Sequence, residues 1–141
     1  MTTTAQLDNL NREEQVYLTK AVISLLDAWG LENEHIVDML ALPEGTPPRQ
    51  INRYRSMGEP LPMDSEETLK RIEHILAIAE ALRTMFPRNP QMARLWMQQP
   101  CKKLRGRIPI AIMLFDGIEG MIKVRSHLDC TYAWDLTGSH C

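Results

Sequence analysis

The stretch DSEETLKRIEHILAIAEALRTMF, residues 64–86, decides the fold class. Leu69, Ile72, Leu76, Ala79, Leu82 and Phe86 return every three or four positions, the spacing that lines one face of an α-helix. Pro60 and Pro62 forbid helix before it, and Pro87 stops it. Asp64, with Glu67 three residues on, has the form of a capping box with Asp in place of Ser or Thr.

The same period recurs on both sides. Upstream, Leu18, Val22, Leu25, Leu26 and Trp29 share one helical face, and Gly30 stands where a C-terminal cap belongs. A shorter helix is expected over 33–42, with Asn33 as N-cap, before Pro43-Glu44-Gly45 breaks it. A third should follow Thr46 as N-cap, with Pro47 at its first position, and run to Arg55. Downstream, Asn89 and Pro90 open a helix carrying Met92, Leu95 and Trp96, and Pro100 ends it. Pro109 opens a short helix over 110–115, closed by Asp116-Gly117. Ile118, Met121, Ile122, Arg125 and Leu128 then give the last helical face. Nothing alternates with a period of two, so the expectation is an all-α protein of about seven helices. Residues 1–62 form an N-terminal helical region, and residues 63–141 a C-terminal region with a tail.

Composition narrows the function classes. The 141 residues are 44% hydrophobic and 24% charged, as in an ordinary globular domain rather than a disordered chain. No apolar run approaches the roughly 20 residues of a membrane span. Met1 to Asn11 lacks the basic start and apolar stretch of a signal peptide, which makes the cytoplasm the expected compartment. Cys101, Cys130 and Cys141 read as reduced thiols rather than a disulfide framework. The net charge of −2 hides an uneven distribution. Residues 1–48 carry 2 basic and 8 acidic side chains, residues 49–107 carry 12 and 6, and residues 108–141 carry 2 and 4. A basic middle suits an anionic partner, or one face of a domain.

Catalytic patterns are missing: there is no Gly-rich phosphate loop, no G-x-S-x-G and no H-E-x-x-H. Cys101 beside Lys102 and Lys103 has the cationic setting of a reactive thiol, but no histidine stands near it in sequence. His127-x-x-Cys130 is an acceptable metal-binding pair, whereas the adjacent His140 and Cys141 splay apart and close a tetrahedron poorly. The expectation is no enzyme, no cofactor and no metal. The helix–turn–helix reading has more behind it. A helix, a break and a second helix bearing Arg49, Gln50, Asn52, Arg53 and Arg55 match a recognition pair. Arginine grips phosphates or reads guanine, and Gln and Asn read adenine. The competing explanation is a solvated basic helix.

Three further pieces stand in order: Trp96-Met97-Gln98-Gln99-Pro100, then Leu104-Arg105-Gly106-Arg107-Ile108-Pro109-Ile110, then Gly117, Gly120, Val124 and Leu128. Together they resemble the toxin-binding domain of the Xre/MbcA/ParS antitoxin family, whose consensus runs W-L-x-x-P-N, L-x-G-x-x-P, G and V-x-x-L. The likeness extends over roughly residues 20–130, with Cys101 where the family usually has Asn. The resemblance implies an all-helical antitoxin that neutralises a RES-type, NAD-consuming toxin by covering its active site. It also implies repression of its own operon, and a homodimer or a hetero-oligomer with the toxin. The expected toxin contacts are Lys102, Lys103, Arg105, Gly106 and Arg107 of a cationic loop, and Tyr132, Trp134 and Asp135 of a tail beyond the last helix. Exposed Tyr and Trp are favoured interface anchors. The alternative is a stand-alone helix-turn-helix transcriptional regulator, which would lack a neighbouring toxin reading frame.

Overall fold

The computed structural model describes residues 9–137, with side chains through residue 130. Its helices are α1 (Arg12–Ala28), α2 (Asn33–Met39), α3 (Gln50–Ser56), α4 (Glu66–Met85), α5 (Pro90–Gln98) and α6 (Pro109–Thr137), with a 3-10 turn at Lys102–Leu104. The all-α expectation holds. The β feature among the described residues is an isolated bridge between Cys101 and Arg107. Helix α6 contains a non-helical residue, Gly117, at φ 64° and ψ −138°, so the break read at Asp116-Gly117 is real. Counting its two pieces apart gives seven α-helical segments among the described residues. None of the described helices is long and apolar enough to cross a membrane.

Two compact units divide after Glu73, within α4. In the first, α1 starts with a capping box: Glu14 N–H donates to Asn11 Oδ1 (2.9 Å), and Asn11 N–H donates to Glu14 Oε1 (3.2 Å). It ends with Gly30 at φ 90°, the left-handed conformation expected of that cap. Val22, Ile23 and Leu26 of α1, Ile36 and Met39 of α2, and Ile51 and Tyr54 of α3 form the core. Two buried threonines tie segments across it. Thr19 Oγ1 donates to the Gln15 carbonyl (2.7 Å) and accepts from Leu61 N–H (2.9 Å). Thr68 Oγ1 donates to the Leu40 carbonyl (3.0 Å), while Arg71 reaches the Asp38 and Met39 carbonyls. The Met39 and Leu40 carbonyls lie at the end of α2, where a helix leaves its last carbonyls without intrahelical partners, so α4 caps α2.

Three expected caps are corrected. The residue at the N-cap of α2 is Glu32, and Asn33 is already helical. Thr46 does not cap α3: its hydroxyl donates back to the Pro43 carbonyl (2.6 Å), and the helix starts later, at Gln50. Pro47 and Pro48 lead in through i→i+3 bonds to Gln50 and Ile51. Ser65, not Asp64, caps α4 by accepting from Thr68 N–H (3.2 Å). It stands three residues before the first orphan amide it can reach, the position a cap requires.

In the second unit, Ile75, Ile78 and Leu82 of α4 are buried, as are Met97 of α5 and Ile110, Ile112, Met113, Met121, Val124 and Leu128 of α6. The chain turns at Gly117, then brings Gly120 against the Ile112 carbonyl. A Cβ at Gly120 would overlap that oxygen and lie 2.9 Å from the Asp116 Cβ. Because the clash is with backbone, a side chain there forces the two pieces of α6 apart. Gly120→Ala should therefore destabilise the fold by about 2 kcal/mol or more. The neighbouring exposed control Glu119→Ala should stay within about 0.5 kcal/mol. Urea unfolding of both variants checks this.

Candidate functional site

The basic helix α3 divides its expected DNA contacts into two kinds. Arg55 is turned inward on an ion pair: Nε and Nη2 donate to the two Asp27 carboxylate oxygens (2.9 and 2.8 Å). Its Nη1 also donates to Asn52 Oδ1 (2.7 Å), and Nη2 to Asn33 Oδ1 (2.9 Å). The carboxylate beside it holds the Arg55 guanidinium above its ordinary pKa. Arg55 thus joins α1, α2 and α3 by their polar ends. Gln50 Nε2 donates to Glu59 Oε2 (2.9 Å). Arg49 and Arg53 remain exposed, with no ion pair among the described residues.

In the second unit, the 101–107 loop closes on itself through five backbone bonds. Cys101 N–H donates to the Arg107 carbonyl (3.0 Å), and Leu104 and Gly106 N–H donate to the Cys101 carbonyl (3.0 and 2.9 Å). Arg105 N–H donates to Lys102 and Arg107 N–H to Leu104 (3.1 and 3.2 Å). Two successive left-handed residues make this possible, Arg105 at φ 60° and Gly106 at φ 76°. Glycine adopts that region freely, and Arg105 does so at a cost. With its backbone closed inward, the loop leaves Lys102, Lys103, Arg105 and Arg107 exposed.

Arg107 is not free. Its Nη1 and Nη2 donate to Asp116 Oδ2 and Oδ1 (2.7 and 3.3 Å), a fork that lowers the Asp116 pKa and raises that of Arg107. Between the loop and the second piece of α6 lies an open groove of about 890 Å³. Ile112, Ile122, Lys123, Ser126 and His127 of α6 line it with Lys103, Leu104 and Arg105. At its edge, the Trp96 ring stacks on His127 with centroids 6.0 Å apart and planes 7° from parallel. His127 Nε2 lies 3.8 Å from Cys101 Sγ, a neighbour 26 residues away that sequence spacing does not reveal. Burial first, and Lys103 second, push the His127 pKa down. Cys101 is a free thiol, whereas Cys130 is disulfide-bonded, which corrects the expectation of reduced thiols throughout.

The expected tail is corrected too. Helix α6 continues to Thr137, so residues 131–135 lie on a helix rather than beyond one. The Tyr132, Trp134 and Asp135 side chains fall outside the described residues. Sequence reasoning missed Ile122, Lys123 and Ser126 as partners of the loop. The only signal available was their helical spacing with His127, which serves equally for a solvated face.

Loop, glycine break and Trp96 together are the parts on which the sequence resemblance rested. Residues 81–131 match the family model of the antitoxin Xre/MbcA/ParS C-terminal toxin-binding domain. The resemblance is borne out over that span, and the match supports an antitoxin role with a toxin as partner. The matched span begins within α4 and takes in α5, the cationic loop and the Gly117 break. The uncharacterized protein y4oB of Sinorhizobium fredii is 29% identical over 111 residues, 78% of this chain and 80% of that protein.

The depressed His127 pKa has a consequence for stability. The folded second unit favours the neutral ring, so this contribution is present above the unfolded pKa of about 6.5. It is lost as pH falls through the lower folded value. The melting temperature of the wild type should fall further between pH 7.5 and 5 than that of His127→Gln. Carboxylate titrations are common to both proteins, and thermal melts across the range measure the difference.

Proposed function

We propose that the chain is the antitoxin of a type II toxin–antitoxin system, acting in the cytoplasm on a RES-type, NAD-consuming toxin. In this reading the C-terminal region, 63–141, covers the toxin's active site, and the N-terminal region, 1–62, binds operator DNA. The observation that carries it is the match of residues 81–131 to a toxin-binding domain. The exposed side chains of Lys102, Lys103 and Arg105 stand on a closed loop within that span, as a protein-binding surface requires. Tyr132, Trp134 and Asp135 are proposed as further contacts, with the two aromatic rings as anchors. Arg107 contributes through its pairing with Asp116, and Gly106 by letting the loop close.

For DNA, the exposed Arg49 and Arg53 are the proposed phosphate contacts. Gln50 and Asn52 would have to exchange their present partners to read bases, and Arg55 would hold α3 in place while contacting DNA only at its edge.

Co-expression with the adjacent reading frame tests the antitoxin reading directly. The wild type should restore growth, and growth arrest that it does not relieve would overturn the proposal. Replacing Tyr132 and Trp134 together by Ala should weaken toxin binding at least tenfold, worth about 1.4 kcal/mol, in a titration with purified toxin. Arg49→Ala with Arg53→Ala should weaken operator binding and reduce its salt slope by about one phosphate contact each. Gel shifts over a salt series, compared with wild type, give both quantities.

A further inference from the structure

We infer that the groove between the 101–107 loop and the second piece of α6 receives an acidic, amphipathic segment of the partner: carboxylates flanking a medium-sized apolar side chain. The inference rests on the antitoxin reading and names the chemistry of the partner surface at this site.

Charge points to an anion. The groove is lined by Lys103, Arg105, Arg107 and Lys123, with no carboxylate among its described lining residues. Asp116 occupies the Arg107 fork and also feels the charge of Lys123, whereas Lys103 and Arg105 form no ion pair among the described residues. Gathering like charges around one concavity costs free energy that an inserted carboxylate relieves, and water exclusion strengthens the attraction. Burial is the main cause of the depressed His127 pKa, and the charge of Lys103 adds to it.

The floor points to a peptide rather than nucleic acid. Leu104, Ile112 and Ile122 line the groove together with the cations, and Ile122 is 45% exposed although it is a large aliphatic side chain. A phosphate backbone has nothing apolar to set on this floor. An acidic segment with an interposed Leu or Ile covers it while its carboxylates reach the rim. The groove's volume also lies within the roughly 300–1,000 Å³ usual for sites that hold a ligand by a few side chains.

The probe is a synthetic peptide of alternating Glu and Leu, titrated into the full-length, isotopically labelled chain while amide shifts are followed. Shifts should concentrate at residues 103–107 and 122–127, with affinity falling as salt rises. Lys103→Glu with Lys123→Glu should weaken binding at least tenfold at unchanged helicity and melting temperature. A Glu-Ser peptide should bind several-fold more weakly than Glu-Leu, since it leaves the floor uncovered. Absent shifts, or shifts centred elsewhere, would overturn the inference. So would a DNA duplex that binds the same residues more tightly than the peptide, which would reassign the groove to nucleic acid. The growth assay separates the two levels of argument. Rescue by wild type that persists undiminished in the double charge reversal refutes the groove and leaves the antitoxin reading standing. Peptide binding without rescue refutes the antitoxin reading instead.

Discussion

The close approach of Gly120 to the Ile112 carbonyl is the constraint on which the second unit depends. With Gly117 in a backbone region essentially closed to other residues, it lets one helix double onto its own first turns. Ile112 from the first piece and Ile122 from the second then share a floor, and Lys123 and His127 face the loop. A side chain at either glycine would leave the same residues in the sequence without a groove between them. Two positions that carry no chemistry thus determine where the chemistry is.

The charges show why a count of basic residues is a poor map of a binding surface. Residues 49–107 hold 12 basic side chains, yet their roles diverge. Arg55 distributes its donors over Asp27, Asn33 and Asn52, and Arg71 caps a helix end. Arg107 is committed to Asp116. In these cases the fixed planar fork of the guanidinium is spent on architecture. The exposed cations without an ion pair among the described residues include Lys102, Lys103 and Arg105 on the loop, Arg49 and Arg53 on α3, and Arg88 and Arg94.

Much of the architecture was legible because it is written in short-range periods. The helix faces followed from apolar spacing, and Asp116-Gly117 announced the break in α6. The likeness of residues 96–128 to a toxin-binding domain was visible in the order of its motifs. What escaped depended on choices between near-equals or on distance. Asp64 and Ser65 are both cap-forming residues one position apart, and only the reach to Thr68 N–H decides between them. Thr46 had a competing acceptor at Pro43. Arg55 meets Asp27 across 28 residues and Cys101 meets His127 across 26, separations at which no sequence pattern constrains contact. The continuation of α6 to Thr137 was missed because Thr131 to Trp134 breaks the apolar period without breaking the helix.

The loop at 101–107 combines two properties that seldom occur together, an exposed charged exterior and a backbone whose amides point inward. The N–H groups of Cys101, Leu104, Arg105, Gly106 and Arg107 are all engaged, so hydrogen exchange there is governed by opening of the ring rather than by solvent contact at its surface. On association, the main chain has little conformational freedom left to lose. The ordering cost falls on the lysine and arginine side chains alone, at about 0.5–1.5 kcal/mol for each one immobilised. The strained Arg105 conformation is thus an entropic investment made during folding, ahead of any encounter.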